Sequence, residues 1–161
     1  MVKEIIKKIE SSVLYKDWKK QHPQSYLVHI FCMNDAVTVG YYEKKSDTIT
    51  SFTESAKTVS DEIFREHTAI PELRREEVSL SLDEAKKVAE EILKKNKETA
   101  TKQIIVLQTI NNMPVYNMTC ITASFKMLHV QINAKNSEIL KEDMQSLMQW
   151  CNYESGNRQA G

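Results

Sequence analysis

Two stretches near opposite ends of this 161-residue chain read as versions of one another, and this echo restricts the fold more than any other feature. Thr38-Val-Gly-Tyr-Tyr-Glu-Lys-Lys-Ser-Asp-Thr-Ile-Thr50 is answered by His129-Val-Gln-Ile-Asn-Ala-Lys-Asn-Ser-Glu-Ile-Leu-Lys141. In each, a valine (Val39, Val130) leads into a turn marked by Lys44 or Lys135. Ser46 or Ser137 and an acid (Asp47, Glu138) follow, and apolar residues resume at Ile49 or at Ile139 and Leu140. The register is a constant 91 residues up to the acid. Tyr26 and Tyr116 each begin an alternating run about a dozen residues before the valine, so the match spans a hairpin. Two copies are too few for a solenoid. They imply a duplicated α+β unit whose strands present one face to a helix.

Hydrophobic spacing fills in the rest of that unit. Val2, Ile5, Ile6, Ile9, Val13 and Leu14 share a helical stripe over residues 2 to 18, which Pro23 stops. Strands are expected at 25–33, 36–42 and 48–52, with Asn34-Asp35 as the first turn. Residues 54–78 lose the strand period; a short helix near Ser60 to His67 is expected, and Glu72 to Glu77 reads as a solvated face. Ser81-Leu-Asp-Glu84 is a capping box, the serine accepting the Glu84 amide proton and the glutamate reaching back. It opens a helix with Leu82, Ala85, Val88, Ala89, Ile92 and Leu93 on one stripe. Strands at 102–110, 115–122 and 127–132 follow, then a short helix over 143–150. The expected organisation is a first helix-plus-meander half at 1–53, a connection at 54–79, a second half with a C-terminal helix at 80–150, and a flexible tail at 151–161.

Such a chain can bury roughly 70% of its unfolded surface, so it needs neither metal nor disulfide to fold. The 22 basic and 22 acidic residues cancel, which removes any overall pull toward nucleic acid or an anionic membrane. No segment has the continuous apolar length of a signal or a span, so the sequence reads as cytoplasmic. Cys32, Cys120 and Cys151 form no Cys-x-x-Cys pair, and Cys32 and Cys120 lie in apolar runs, the pattern of buried thiols.

The chemistry-bearing residues do not assemble into a known motif. His22, His29, His67 and His129 share no metal-ligand spacing, and no serine stands in a nucleophile elbow. With only Gly40, Gly156 and Gly161, no loop can cradle a phosphate through packed backbone amides. No catalytic, cofactor-binding or metal-binding residue is therefore assigned, and no cofactor. Tyr15-Lys-Asp-Trp-Lys-Lys20 and Tyr41-Tyr-Glu-Lys-Lys45 interleave rings with lysines, as single-strand binders do, but acids intervene and Trp18 is expected to pack on the sheet. Met113, Met118, Met127, Met144 and Met148 fit either core filling or an adaptable binding surface.

The segment Ser81-Leu-Asp-Glu-Ala-Lys-Lys-Val-Ala-Glu-Glu-Ile-Leu93, the strands through Val115-Tyr116, and His129 to Leu140 together resemble the PepSY domain over about 60 residues. Tyr26 to Phe52 resembles a divergent second copy. The closing turn, Asn133-Ala-Lys-Asn-Ser-Glu138, departs from that family's usual leading aspartate and its glycine; Asn136 is expected to take the left-handed conformation instead. The resemblance implies a noncatalytic binding module with a regulatory role, engaging a protein or peptide partner, with edge-strand addition as one route. Homodimerisation through such an edge is a second route. The alternative is a small-molecule binder or enzyme with a pocket between helix and curved sheet, on which His29, His129, Tyr116 or Cys120 would converge.

Overall fold

In the computed structural model of the chain, residues 2–60 and 70–148 are described. Helix α1 (Val2–Ser11) buries Val2, Ile6 and Ile9, one face of successive turns. It ends because Ser12 is extended, and its hydroxyl accepts the Tyr15 amide proton at 3.2 Å to start helix α2 (Val13–Gln21). The single helix expected over 2 to 18 is thus two. The serine cap re-aims the chain so that Tyr15 and Trp18, rather than Val13, become buried.

Strands β1 (Tyr26–Met33), β2 (Ala36–Glu43) and β3 (Thr48–Phe52) form the expected meander. Asn34 and Asp35 both take positive φ, the mirror-image turn that matches the twist of a two-residue hairpin. A fourth strand, β4 (Lys57–Ser60), pairs with β3. With one apolar residue in four, it carries no period to read. The helix expected near Ser60 to His67 starts on its last residue, and 61–69 lie outside the described residues.

Within Glu72 to Glu77 the residues Glu72, Arg74 and Glu76 are exposed, as expected of a solvated face, but the connection also reaches the core. Leu73, Val78 and Leu80 are buried. The Leu73 amide donates to the Leu27 carbonyl at 2.8 Å, and the Ser79 and Leu80 amides donate to the Ala134 carbonyl, at 2.9 and 2.8 Å. A single 3-10 turn at Arg75–Glu77 brings the Arg75 guanidinium onto the Glu10 carboxylate at 2.8 and 2.5 Å, and Tyr41 donates to that carboxylate at 3.0 Å. Burial pushes the Glu10 carboxyl up, but Arg75 and Tyr41 outweigh it and hold the group below the usual carboxylate range.

Helix α3 (Leu82–Lys95) begins at the expected capping box: the Glu84 amide donates to the Ser81 hydroxyl at 3.2 Å, and the Ser81 amide donates to Glu84 Oε2 at 2.8 Å. Ser81→Ala is expected to cost about 1 kcal/mol, read as a lower urea midpoint at unchanged slope. An unchanged midpoint would show that the cap is redundant.

Strands β5 (Ala100–Ile110), β6 (Met113–Thr122), β7 (Lys126–Asn133) and β8 (Ile139–Ser146) follow. Of the helix expected over 143–150, the residues through Ser146 are instead strand paired with β7, Leu147 and Met148 are helical, and 149–150 lie outside the described residues. Met144 lies opposite Leu128 and packs against the core as a strand residue. The tail 151–161, with Cys151, also lies outside the described residues.

Among the described residues, the eight strands form one antiparallel sheet in the order β4-β3-β2-β1-β5-β6-β7-β8. The two meanders meet at its centre, where Phe31 of β1 lies opposite Val106 of β5. On either side the chain runs from helix into four strands that step outward. The sequence echo, however, joins β2–β3 to β7–β8, hairpins at different distances from the centre. Its turns also differ: Asp47 is the left-handed residue in one and Ser137, rather than Asn136, in the other. A single core lies between the helices and one sheet face, with Ile30, Cys32, Val39, Tyr41, Phe52, Ile105, Leu107, Tyr116, Met118, Cys120, Leu128, Val130 and Ile132 contributed by the strands.

Candidate binding surface

Alternation along each strand that sends one set of residues under the helices sends the other set to the opposite face. Cross-strand pairing arranges that opposite face in rows. One runs Thr38, Phe31, Val106, Asn117, Gln131, Lys141 from β2 to β8. The next runs Ala36, Met33, Ile104, Thr119, His129, Asp143 over the same strands. Among the described residues no helix belongs to this side: the buried residues of all three helices fall in the core cluster with the other set. Phe31, Ile104, Val106, Asn117, Thr119, His129 and Gln131 are each half-buried, held by their neighbours within the sheet, and Met33 is exposed.

Inside the β8 margin these rows are apolar, amide, hydroxyl or, at His129, imidazole, while carboxylate and ammonium groups fall on that margin at Lys141 and Asp143. The middle of such a surface has no carboxylate or ammonium to desolvate on contact, and it has side-chain donors and acceptors for fixing register. Toward one end the face is more closed: Tyr42 and Val115 are nearly fully buried, and the Tyr26 hydroxyl donates to the Ile70 carbonyl at 2.7 Å.

His29 and His129 both lie on this face but do not meet. His29 is on β1 in the row of Gln108, Val115 and Asn133, and His129 is four residues from Asn133 along β7. That is three strand spacings of ~4.8 Å plus four residues at ~3.3 Å each. His129 Nε2 is 2.5 Å from Asn117 Oδ1 across the β6–β7 pair. The His29 ring lies over Gly40 of β2; a Cβ there would stand 2.4 Å from it. This close approach is why position 40 has no side chain. Burial holds the His29 imidazole below its ordinary pKa, and burial with nearby Lys141 does the same to His129.

Tyr116 and Cys120 point to the other side. The Tyr116 hydroxyl, its pKa raised by burial, donates to the Leu80 carbonyl at 2.9 Å, and Cys120 is a fully buried thiol whose pKa burial also raises. The four residues of the pocket reading therefore divide between opposite faces of the sheet. Cys32 is likewise a buried free thiol. His22 stacks on Trp18 and sits 2.8 Å from Glu43, while His67 lies outside the described residues. Among the described residues no group of three His, Cys, Asp or Glu is placed to hold a metal ion. Tyr15, Trp18 and Tyr41 are buried in the core, so their rings are not available to stack on bases. No helix among the described residues is long and apolar enough to cross a membrane.

The face itself was missed in the sequence. Period-2 alternation marks two faces on every strand, but which face the helices cover depends on long-range packing. No family model, no curated protein and no solved structure matches this chain.

Proposed function

We propose that the protein is a noncatalytic, regulatory protein- or peptide-binding module, PepSY-like and built by duplication, that engages its partner through the helix-free face of its sheet. The observation that carries this reading is the pair of rows centred on Phe31, Val106 and Asn117 and on Ile104, Thr119 and His129. Six strands at ~4.8 Å and strands of some eight residues at ~3.3 Å give this face an extent of several hundred Å². That is the scale of one partner's share of a standard interface, roughly 800 Å².

Edge-strand addition is the weaker route. β4 is four residues long, and β8 carries Lys141, Glu142 and Asp143 with a register shift beside Ile139, features that protect an edge from pairing. The test is quantitative affinity capture with the wild-type chain, Val106→Lys and Glu142→Pro. A specifically enriched protein is expected to fall at least tenfold with Val106→Lys and to persist with Glu142→Pro. Enrichment that survives Val106→Lys and disappears with Glu142→Pro would replace the face by the edge.

A further inference from the structure

The two rows of the helix-free face are complementary to each other. They lie two residues apart on every strand, so an axis drawn between them and parallel to them has one residue of each strand on either side. Phe31 and Met33 flank it on β1, and Val106 and Ile104 on β5. Asn117 and Thr119 flank it on β6, Gln131 and His129 on β7, and Lys141 and Asp143 on β8. A half-turn about this axis sets a second copy face to face with the first and exchanges the two residues of each strand. Apolar side chains then meet apolar ones, and the Asn117 amide meets the Thr119 hydroxyl. The Gln131 amide meets the His129 imidazole, and the Lys141 ammonium meets the Asp143 carboxylate, each contact occurring twice.

The charged pair decides the axis. Within one chain Lys141 makes no ion pair among the described residues, and Asp143 accepts a hydrogen bond from Gln145 at 2.6 Å. A half-turn about an axis along the strands would instead lay this β8 margin over Thr38 and Ala36 of β2, where neither charge has a counterpart. Shape favours the same choice. The closed end of the face, where Tyr26 lies opposite Tyr42, is over β1 and β2, and in the pair it falls beyond the Asn34-Asp35 turn of the second copy, where those two strands have ended.

We infer that the partner of the helix-free face is a second copy of this chain, joined across this twofold axis. The inference rests on the reading of that face as the contact surface and names what it contacts. Six strands at ~4.8 Å by some eight residues at ~3.3 Å give roughly 700 Å² per copy, hence roughly 1,400 Å² in all, the lower part of the range for stable interfaces. Contact of that size makes a reversible pair, so the face is open in dilute solution and covered as concentration rises.

The experiment is sedimentation equilibrium of the full chain at concentrations up to about 100 μM. The wild type is expected to pass from monomer to dimer over this range. Lys141→Asp and, separately, Asp143→Lys, each with wild-type circular dichroism, bring like charges together twice per pair and are expected to weaken self-association about tenfold or more. Mixed in equal amounts, the two variants are expected to form a one-to-one heterodimer about as readily as the wild type pairs, because each substitution then faces the opposite sign. Val106→Lys is expected to abolish the dimer. A wild type that stays monomeric throughout overturns the second copy as partner, while loss of a captured protein with Val106→Lys would still mark the face as the site for a different one. A dimer that persists in Val106→Lys, or a mixture that associates no better than its components, also overturns the proposal.

Discussion

Phe52→Ala is expected to cost about 3–5 kcal/mol, the largest loss from any single truncation on the β3 side of the sheet. Phe52 is fully buried and is the hub of an aromatic group on the helix side. Its ring centroid lies 5.1 Å from Trp18, 5.5 Å from Tyr15 and 5.9 Å from Tyr41, each at a steep interplanar angle. Alanine leaves a void that three rings tied to α2 and β2 cannot collapse to fill. Against a total stability of roughly 5–15 kcal/mol, this is a large fraction. Urea denaturation followed by tryptophan fluorescence is the readout, because Trp18 borders the void. Phe52→Leu, which keeps most of the volume, is expected to lose less than half as much. Equal costs for the two would show that the rings are not packed around this side chain.

Gly40→Ala is expected to destabilise by about 1–3 kcal/mol through overpacking. The added methyl would stand 2.4 Å from the His29 ring, which is wedged against β2. The cause is distinguishable from an altered strand propensity by a double-mutant cycle. In a His29→Ala background the same change at Gly40 is expected to be near neutral, giving a coupling of about 1 kcal/mol or more. Additive costs would rule out the steric account.

The same ring gives a pH dependence with a definite sign. Burial holds the folded His29 pKa below its ordinary value of 6.5. Between those two values the unfolded chain binds more protons than the folded one, so stability rises with pH. The contribution is complete above the unfolded value and is lost as pH falls through it toward the folded pKa. His129 is shifted in the same direction and adds to the slope. The urea midpoint is therefore expected to fall between about pH 7.5 and 5.5, and His29→Gln to reduce that slope without abolishing it. The acids held below their ordinary range, Glu10 and Glu43, act only nearer pH 4.5 and leave this window clear. An unchanged slope in His29→Gln would mean that the imidazole is as hydrated in the fold as outside it.

Local chemistry was legible wherever one short segment decides the outcome. The Ser81 to Glu84 cap, the Asn34-Asp35 turn and the six expected strands, β1 to β3 and β5 to β7, are each set by side chains within a few residues of the backbone they direct. Where a local signal competed with a distant one, reading by period failed. The stripe of α1 and α2 runs through Ser12 without interruption, yet the serine's own hydrogen bond to the Tyr15 amide breaks the helix. Met144, Leu147 and Met148 have helical spacing, but residues 139–146 are held as a strand by pairing with β7, a gain no window of eight residues contains. Leu73 sits amid charges in the sequence, and its place is fixed by a distant partner, its amide donating to the Leu27 carbonyl near the start of β1.

The candidate surface was hidden for a related reason. The strand assignments allowed Phe31, Val106, Asn117 and Gln131 to face either way, since a shift of one residue exchanges the faces. What decides is the set of cross-strand pairs, above all Phe31 with Val106 at the join of the two meanders, and which side the helices then occupy.

Thr119 and Cys120 are neighbours on β6 with opposite fates, one half-buried on the helix-free face and the other fully buried in the core. In a Cys151→Ser background, the variant Thr119→Cys therefore places a reporter beside a native control. Native-state labelling with a small maleimide, counted by mass spectrometry, is expected to add one label per folded chain at position 119, with Cys120 and Cys32 reacting only in denaturant. No label at 119 would show that the face is covered, and rapid labelling of Cys120 would show that the helices do not seal the other side; either contradicts a sheet packed on one face and open on the other.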